Sequence, residues 1–251
     1  MTDSQKIAVV TGASAGIGAA TARALHREGF RLVLGARRME RLEPLVSELG
    51  GAPGAEAHPL DVTDPASVRK FVSRLERVNL LVNNAGAAFG LDTVEQAVEE
   101  RWRAMYELNV MGVLRMTRAL LPALRASGDG HVIDVGSIAG FEVYPGGAGY
   151  TASKHAARAL TRTLRLELLG EPIRVTEISP GLVDTEFSKV RFSGDARRAD
   201  AVYRGMTPLA AEDVAECIAF AATRPSHVNI DELVVKPRDQ AHSTAVYRHD
   251  G

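Results

Sequence analysis

The stretch KIAVVTGASAGIG, residues 6–18, decides how the chain is read. Its first half is a short run rich in β-branched residues, the composition of a buried strand. The run ends at Gly12, and Gly16 and Gly18 stand just before a stretch of helical periodicity that begins near Ala19. Glycines in such a turn let the backbone bend tightly and bring its N–H groups against a pyrophosphate, beside the positive end of the following helix. The spacing is G-x-x-x-G-x-G and not G-x-G-x-x-G, so the dinucleotide fingerprint is met in mechanism and not in letter. Taken alone, the turn reads equally well as a structural one. Its place directly after the first strand and directly before a helix is what favours a phosphate cradle.

Working outward, β-rich runs alternate with helical stretches. After KIAVVTG (6–12) come RLVLGA (31–36), AEAHPL (55–60), LLVNNAG (80–86), GHVIDVGS (130–137), IRVTEIS (173–179) and DELVVKP (231–237). Helical spacing is carried by Ala20, Ala24 and Leu25 early in the chain and by Leu160, Leu164 and Leu168 later. Parallel neighbours need crossover connections, so this alternation predicts a Rossmann-type, doubly wound α/β fold with a seven-stranded parallel sheet. No Pro/Gly/Ser-rich linker, repeat or low-complexity tract interrupts it, and residues 1–251 are read as one domain. The least periodic stretch, 182–208, is long and charged; it is expected to form a substrate lid, with a loose surface loop as the alternative.

Composition narrows the function classes. With 30 basic and 31 acidic residues, the net charge of −1 gives no electrostatic reason to expect nucleic acid or an anionic membrane as partner. One cysteine, Cys217, permits neither an internal disulfide nor a cysteine-based zinc site, and the seven histidines show no ligand spacing, so no metal is expected. The opening MTDSQK lacks a secretory pattern, and no apolar run approaches membrane-spanning length. A soluble, cytoplasmic protein acting on a small molecule is the expectation.

The end of the second strand bears on the cofactor. A carboxylate there would bond a ribose 2′-hydroxyl, whereas arginine accommodates a 2′-phosphate. Ala36 stands at the carboxylate's place and Arg37 and Arg38 follow, which favours NADP(H); two solvated surface arginines are the plain alternative.

Farther along, GYTASKHAA (149–157) puts Tyr150 and Lys154 four positions apart. In a helix over 150–169 they share a face, so the ammonium can favour the phenolate of a group whose ordinary pKa is about 10. The same pair occurs on many exposed helices, and its company is what distinguishes it. Ser137 closes an apolar strand at its carboxyl end, where open α/β sheets place their ligand crevice. NNAG (83–86) closes another strand, and Asn109 lies in the helical stretch after it.

TGASAGIG, NNAG, Asn109, Ser137 and the Tyr150–Lys154 pair, in this order, resemble the short-chain dehydrogenase/reductase family along nearly the whole chain. The resemblance implies that Tyr150 is the general acid in carbonyl reduction and the base in alcohol oxidation. It implies that Lys154 lowers the tyrosine's pKa and bonds the nicotinamide ribose, that Ser137 orients the substrate oxygen, and that Asn109 supports a water leading to the lysine. It places the phosphate turn on Gly12, Ser14, Ile17 and Gly18, the 2′-phosphate on Arg37 and Arg38, and the adenine on Asp61 and Val62. It places the central strand end on Asn84, Ala85 and Gly86, and the carboxamide loop on Pro180, Gly181, Val183 and Thr185, with Tyr150 and Lys154 also touching cofactor. A homodimer or homotetramer is implied too, with Trp102 packing in the helical stretch at 95–126.

The C-terminal third, with TEFSKVRFSGD (185–195) and RPSHVNIDELVVKPRDQA (224–241), is similar to the branch that oxidises serine, allo-threonine and other 3-hydroxy acids with NADP and reduces malonic semialdehyde. A small hydroxy acid or alcohol and its carbonyl are the implied substrates. A bulkier aldehyde or ketone of secondary metabolism is the rival, and a non-catalytic NADPH-binding regulator a more distant one. A small carboxylate calls for a cation in the lid, where Arg191, Arg197, Arg198 and Arg204 are available. Glu99 and Glu100, adjacent in sequence, make a poor acid/base pair.

Overall fold

The computed structural model describes residues 5–249. Its strands are β1 (Ile7–Thr11), β2 (Arg31–Ala36), β3 (Ala55–Pro59), β4 (Leu80–Asn83), β5 (Gly130–Val135), β6 (Ile173–Pro180) and β7 (Glu232–Val235). They form one parallel sheet in the order β3-β2-β1-β4-β5-β6-β7. The helices are α1 (Gly16–Arg27), α2 (Met39–Glu48), α3 (Pro65–Val72), α4 (Glu99–Tyr106), α5 (Gly112–Ser127), α6 (Ala148–Glu167), α7 (Glu186–Arg191), α8 (Ala196–Tyr203) and α9 (Ala211–Ala222). The strand order reverses between β1 and β4, and the crevice outside the carboxyl ends of those strands is where a doubly wound sheet binds ligand.

Period-two alternation explains how continuous apolar strands serve two cores. Ala8, Val10, Leu32, Leu34, Leu80 and Val82 pack into the core shared with α1, α2 and α9. Their neighbours Val9, Val33 and Leu81 point into the opposite core, under α3, α5 and α6. Helix α1 meets α9 through Ala20, Ala24, Ala211, Ala215 and Ala219, small side chains that let the two backbones approach closely.

Local signals set the helix ends. Asp64 accepts a hydrogen bond from the Ala66 amide (2.8 Å) and Pro65 opens α3. Helix α5 ends on Gly128 at φ 73°, the left-handed cap that glycine adopts freely. Between α4 and α5 the helical stretch is not uniform: Glu107–Met111 form one π turn, and Asn109 sits in it.

Two expectations need correction. Strand β4 stops at Asn83 and not at 86, because the amides of Asn84 and Ala85 both turn aside to the Thr11 hydroxyl at 3.0 Å. Residues 182–208 are not irregular throughout. They carry α7, capped by Thr185, and α8, capped by Asp195. An antiparallel hairpin, β8 (Gln240–His242) with β9 (Ala245–Val246), follows the sheet unannounced by any apolar run. Among the described residues no helix is long and apolar enough to cross a membrane.

Candidate active site

The glycine turn is braced by the neighbouring strand end. Gly12 (φ 65°) and Gly16 (φ 53°) occupy conformations that favour glycine. Asn84 reaches across to donate to the carbonyls of Thr11 (2.9 Å) and Gly12 (3.2 Å). Gly18 lies beneath it: a Cβ there would stand 2.5 Å from both Asn84 Nδ2 and the Gly12 carbonyl oxygen. Ile17 packs back against the cores, and Ala85 and Gly86 continue from Asn84 past the turn. Gly86 runs beside Asn109, whose Oδ1 would lie 3.0 Å from a Cβ at that position.

At the adenosine end, the structure separates the two predicted arginines. Arg37 is exposed and adds its charge beside Asp61. Burial raises the Asp61 carboxyl, but hydrogen bonds from the Thr63 amide and hydroxyl outweigh it, with Arg37's help, and hold it below the usual range. Val62 packs buried against Gly112. Arg38 instead donates to Ser14 Oγ (3.2 and 3.3 Å) and to Glu186 (3.1 Å). Arg41, which sequence reasoning missed, meets the same Glu186 at 2.7 and 2.8 Å. Among the described residues no carboxylate follows β2 at Ala36, so the end of that strand fits a 2′-phosphate better than a free 2′-hydroxyl.

The loop after β6 closes this groove. The Gly181 amide donates to the Val235 carbonyl (2.8 Å) beyond Pro180, and Leu182 takes its acceptor from Gln240 of the hairpin (2.8 Å). Val183 bridges to Leu209, and Thr185 rests against Gly16, 3.3 Å from where a Cβ would stand.

At the other end, Asn109, Ser137, Tyr150 and Lys154 come together. Asn109 is buried; its Oδ1 accepts from the Ala87 amide (3.0 Å), and its Nδ2 donates to the Ala87 carbonyl (2.9 Å) and to Ser153 Oγ (3.0 Å). Ser153, also unforeseen, donates to the Tyr150 carbonyl (2.8 Å) and so ties the π turn to α6. Ser137 caps the short turn after β5, accepting from the Ala139 amide at 3.1 Å, and its hydroxyl bonds the Tyr150 phenol. Lys154 Nζ donates to the Val135 carbonyl (2.9 Å) and lies 6.0 Å from the Tyr150 ring centre.

The electrostatics differ from the simple reading of the pair. Burial pushes the Tyr150 hydroxyl above its ordinary value, and the influences that oppose burial come from the Ser137 hydrogen bond and from Arg191. In the protein alone, then, the phenol is less acidic than an exposed tyrosine. Burial also pulls Lys154 itself down to about 8, against the attraction of Glu177 and Asp134.

Of the four candidate arginines in 182–208, the structure brings Arg191 to this end. Its Nε donates to the Gly90 carbonyl (3.0 Å) and its Nη1 to the Tyr144 hydroxyl (3.1 Å). Its guanidinium carbon stands 5.8 Å from the Tyr150 ring centre, and its Nη2 is buried without a hydrogen-bond partner. Arg198 stacks on Phe192 and Arg204 offers its carbonyl to Arg248; Arg197 is exposed. Phe187 meets Tyr150 edge-on at 5.6 Å, and Trp102 packs in the same small cluster.

A doubly wound sheet with a glycine-lined turn at its first crossover and, at the ends of β4 and β5, a half-buried serine beside a buried tyrosine, lysine and asparagine defines a nucleotide-dependent oxidoreductase of the short-chain type. The sequence pattern of the short chain dehydrogenases matches residues 6–196, and the chain belongs to that family. An uncharacterised oxidoreductase of Mycobacterium tuberculosis is 59% identical over 245 residues, covering 98% of this chain and 96% of that one. A sulfoacetaldehyde reductase of Chromohalobacter salexigens is 42% identical over 246 residues, 96% and 97% of the two chains. Among solved structures, the closed form of a serine dehydrogenase complexed with NADP+ superposes with a TM-score of 0.91 at 38% identity, covering 98% of this chain and all of that one.

Proposed function

We propose that the protein is an NADP(H)-dependent oxidoreductase that interconverts a small hydroxy acid and its carbonyl form. The observation that carries the substrate class is Arg191: a half-buried side chain whose Nη2 is buried with no partner and whose guanidinium stands over the tyrosine of the reactive group. A buried, unpaired donor is costly unless something answers it, and a carboxylate or sulfonate on the substrate would do so by a charge-assisted bond. The names of the two relatives point the same way, since both serine and sulfoacetaldehyde carry an anionic group close to the reacting carbon.

The cofactor would lie along the crevice, its pyrophosphate on the turn of Gly12, Ser14, Ile17 and Gly18 and its 2′-phosphate beside Arg37 and Arg38. Asp61 and Val62 would flank the adenine, with Asn84, Ala85 and Gly86 beneath the middle of the molecule and Pro180, Gly181, Val183 and Thr185 beside the carboxamide. When bound, it supplies or accepts the hydride. The chain's own residues do the rest. Ser137 holds the substrate oxygen beside Tyr150, which gives that oxygen a proton in reduction and removes one in oxidation. Lys154, fixed on the Val135 carbonyl, adds positive charge as the phenolate forms. Asn109 fixes the Ala87 backbone behind it.

Residues 182–208 act as the lid in this reading, closing over an otherwise wet site as a part of one domain. The setting we propose is cytoplasmic, with the chain assembled as a homodimer or homotetramer. Exposed leucines on α5 and at the end of α6 (Leu114, Leu166, Leu169) support assembly, and sedimentation tests it.

Arg191→Ala tests the substrate class. We expect the KM for 3-hydroxy acids to rise about tenfold or more, a loss of the size assigned to a hydrogen bond made by a charged group. Turnover of an uncharged aldehyde should fall less, since it loses Arg191's influence on Tyr150 and no ion pair. An unaltered KM for hydroxy acids would move the reading to the bulkier, uncharged carbonyl.

A further inference from the structure

Asp134, Glu177 and Glu232 stand side by side across the sheet. The register pairs Asp134 on β5 with Glu177 on β6, and Glu177 with Glu232 on β7. Side chains at one level of a parallel sheet project to the same face, so the three carboxyls form a row beneath α6. Such a face is ordinarily apolar, and adjacent buried carboxylates raise one another's pKa and cost stability.

The ends of the row are satisfied. Asp134 accepts from Thr161 Oγ1 (2.7 Å) and Asn83 Nδ2 (2.8 Å), and Glu232 receives Arg158 at 2.6 Å and Arg162 at 3.4 Å. The middle is not satisfied to the same degree. Glu177 is 3% exposed, and the side-chain hydrogen bond it receives comes from Ser179 Oγ at 3.1 Å; the same hydroxyl is 3.3 Å from Glu232 Oε1. The carboxylate folds over Gly136, where a Cβ would lie 2.3 Å from Oε1. Beside it, Arg158 Nη1 is buried with no hydrogen-bond partner. Between these groups lies a small cavity, with room for about one water, lined by Glu177, Asp134, Arg158, Asn109 and Lys154.

We propose that Glu177 exchanges protons with Lys154 through a water in this cavity, and that Ser179 and Glu232 carry the proton on to the sheet edge. This rests on the reaction proposed above. Oxidation of the alcohol releases one proton for each hydride transferred. A Lys154 N–H bond breaks toward the water as a water O–H bond breaks toward Glu177, forming a carboxyl O–H, and the lysine regains its proton from the Tyr150 side. Reduction runs the same steps backwards, and no oxidant or further reactant is consumed. Glu177 acts through Lys154 and touches no substrate, so its role is one of positioning charge and protons.

The surroundings suit that role. Facing Glu177 are Asp134 from β5, Glu232 from β7, Lys154 and Arg158 from α6, and Ser179 from its own strand. Burial raises its carboxyl first, Glu232 and Asp134 raise it further, and Ser179 and Arg158 oppose them. The balance makes it more readily protonated than a surface carboxylate. Arg158 keeps the row from expelling all of its charge.

Two measurements on the full-length Glu177→Gln protein test the proposal. Selective 15N labelling of lysine reads the Lys154 titration without turnover, and we expect its midpoint to fall by about one pH unit when the facing carboxylate is neutralised. In a stopped-flow oxidation followed by NADPH absorbance and a pH indicator together, proton release should lag behind hydride transfer in the variant and keep pace in the parent. Glu232→Gln, altered at the half-buried end of the row, should slow proton release while moving the lysine midpoint less, and it serves should Glu177→Gln fail to fold. An unmoved midpoint together with proton release in step would overturn the proposal. A moved midpoint in a protein whose parent turns over no hydroxy acid would keep the coupling of Glu177 to Lys154 and overturn the reaction it is said to serve.

Discussion

At the scale of single residues, the site depends on close approach. Gly18 is the tightest case, because backbone and the Asn84 amide meet where a Cβ would go. Gly18→Ala forces Asn84 off the Thr11 and Gly12 carbonyls and opens the turn it braces, a strain on the order of 1–3 kcal/mol. We expect NADPH affinity, read by quenching or transfer of its fluorescence, to fall about tenfold or more. An unchanged dissociation constant would show that the turn does not hold the pyrophosphate. Tyr150 makes the complementary point. Its burial raises the phenol and Ser137 and Arg191 oppose that rise; in the reaction we propose, the charge of an oxidised nicotinamide would add to theirs.

At the scale of elements, the α1–α9 contact shows what the helices contribute. These two helices pack through alanines and carry the glycine turn at the start of α1 and the Leu209–Ala211 edge of the groove at the start of α9. Ala215→Leu puts three extra carbons where 1% of the residue is exposed. It should destabilise the fold by about 1–3 kcal/mol in urea unfolding and weaken cofactor binding as the groove widens. A wild-type unfolding midpoint would mean that the helices can slide apart without cost. What the sequence disclosed at this scale follows from local rules. The seven strands and the glycine turn were legible because residue type and spacing along the chain carry them, and the Tyr150, Lys154, Ser137 and Asn109 group because its motifs resemble those of a known family. Arg191 could not be told from Arg197, Arg198 and Arg204, because its place is set by paired bonds with Gly90, one through its Nε and one from the Gly90 amide to its carbonyl (2.9 Å). Arg41 needed Glu186, 145 positions away, and the carboxylate row needed the register of β5, β6 and β7. Helices α7 and α8 escaped notice because they are short and held by side-chain caps, with no long apolar stripe.

At the scale of the whole molecule, the buried polar groups shape the response to pH. His131 on β5 is buried, bonded through Nε2 to Thr176 Oγ1 (2.8 Å), and burial with the nearby Arg174 pulls its pKa from 6.5 to about 3. The unfolded chain therefore binds a proton below about 6.5 that the folded protein refuses, so stability falls as pH drops from there toward about 3, by up to about 1.4 kcal/mol per pH unit. Asp134 and Glu177, raised by burial, act with the opposite sign, since the folded state holds their protons above the unfolded carboxylate range. Comparing the parent with His131→Asn isolates the histidine. Between pH 6.5 and 5 the parent should lose more stability than the variant in urea melts, and parallel losses would show that His131 is not held neutral. The C-terminal segment joins this scale too. Buried Glu142, just past the Ser137 turn, binds Lys236 and the Ser243 amide at 2.6 Å each, and Gln240 supports Leu182, so the hairpin underpins both the Ser137 turn and the start of the 182–208 segment.

The measurement that bears most directly on the central claim follows absorbance at 340 nm for the parent and for Tyr150→Phe, with NADP+ and serine, allo-threonine or 3-hydroxypropionate, alongside a fluorescence titration of each with NADPH. The account predicts turnover of the small hydroxy acids by the parent, a loss of at least about a hundredfold in the variant, and nearly equal NADPH binding by both. Undiminished turnover in Tyr150→Phe, or no turnover of any hydroxy acid by a parent that binds NADPH, would contradict it.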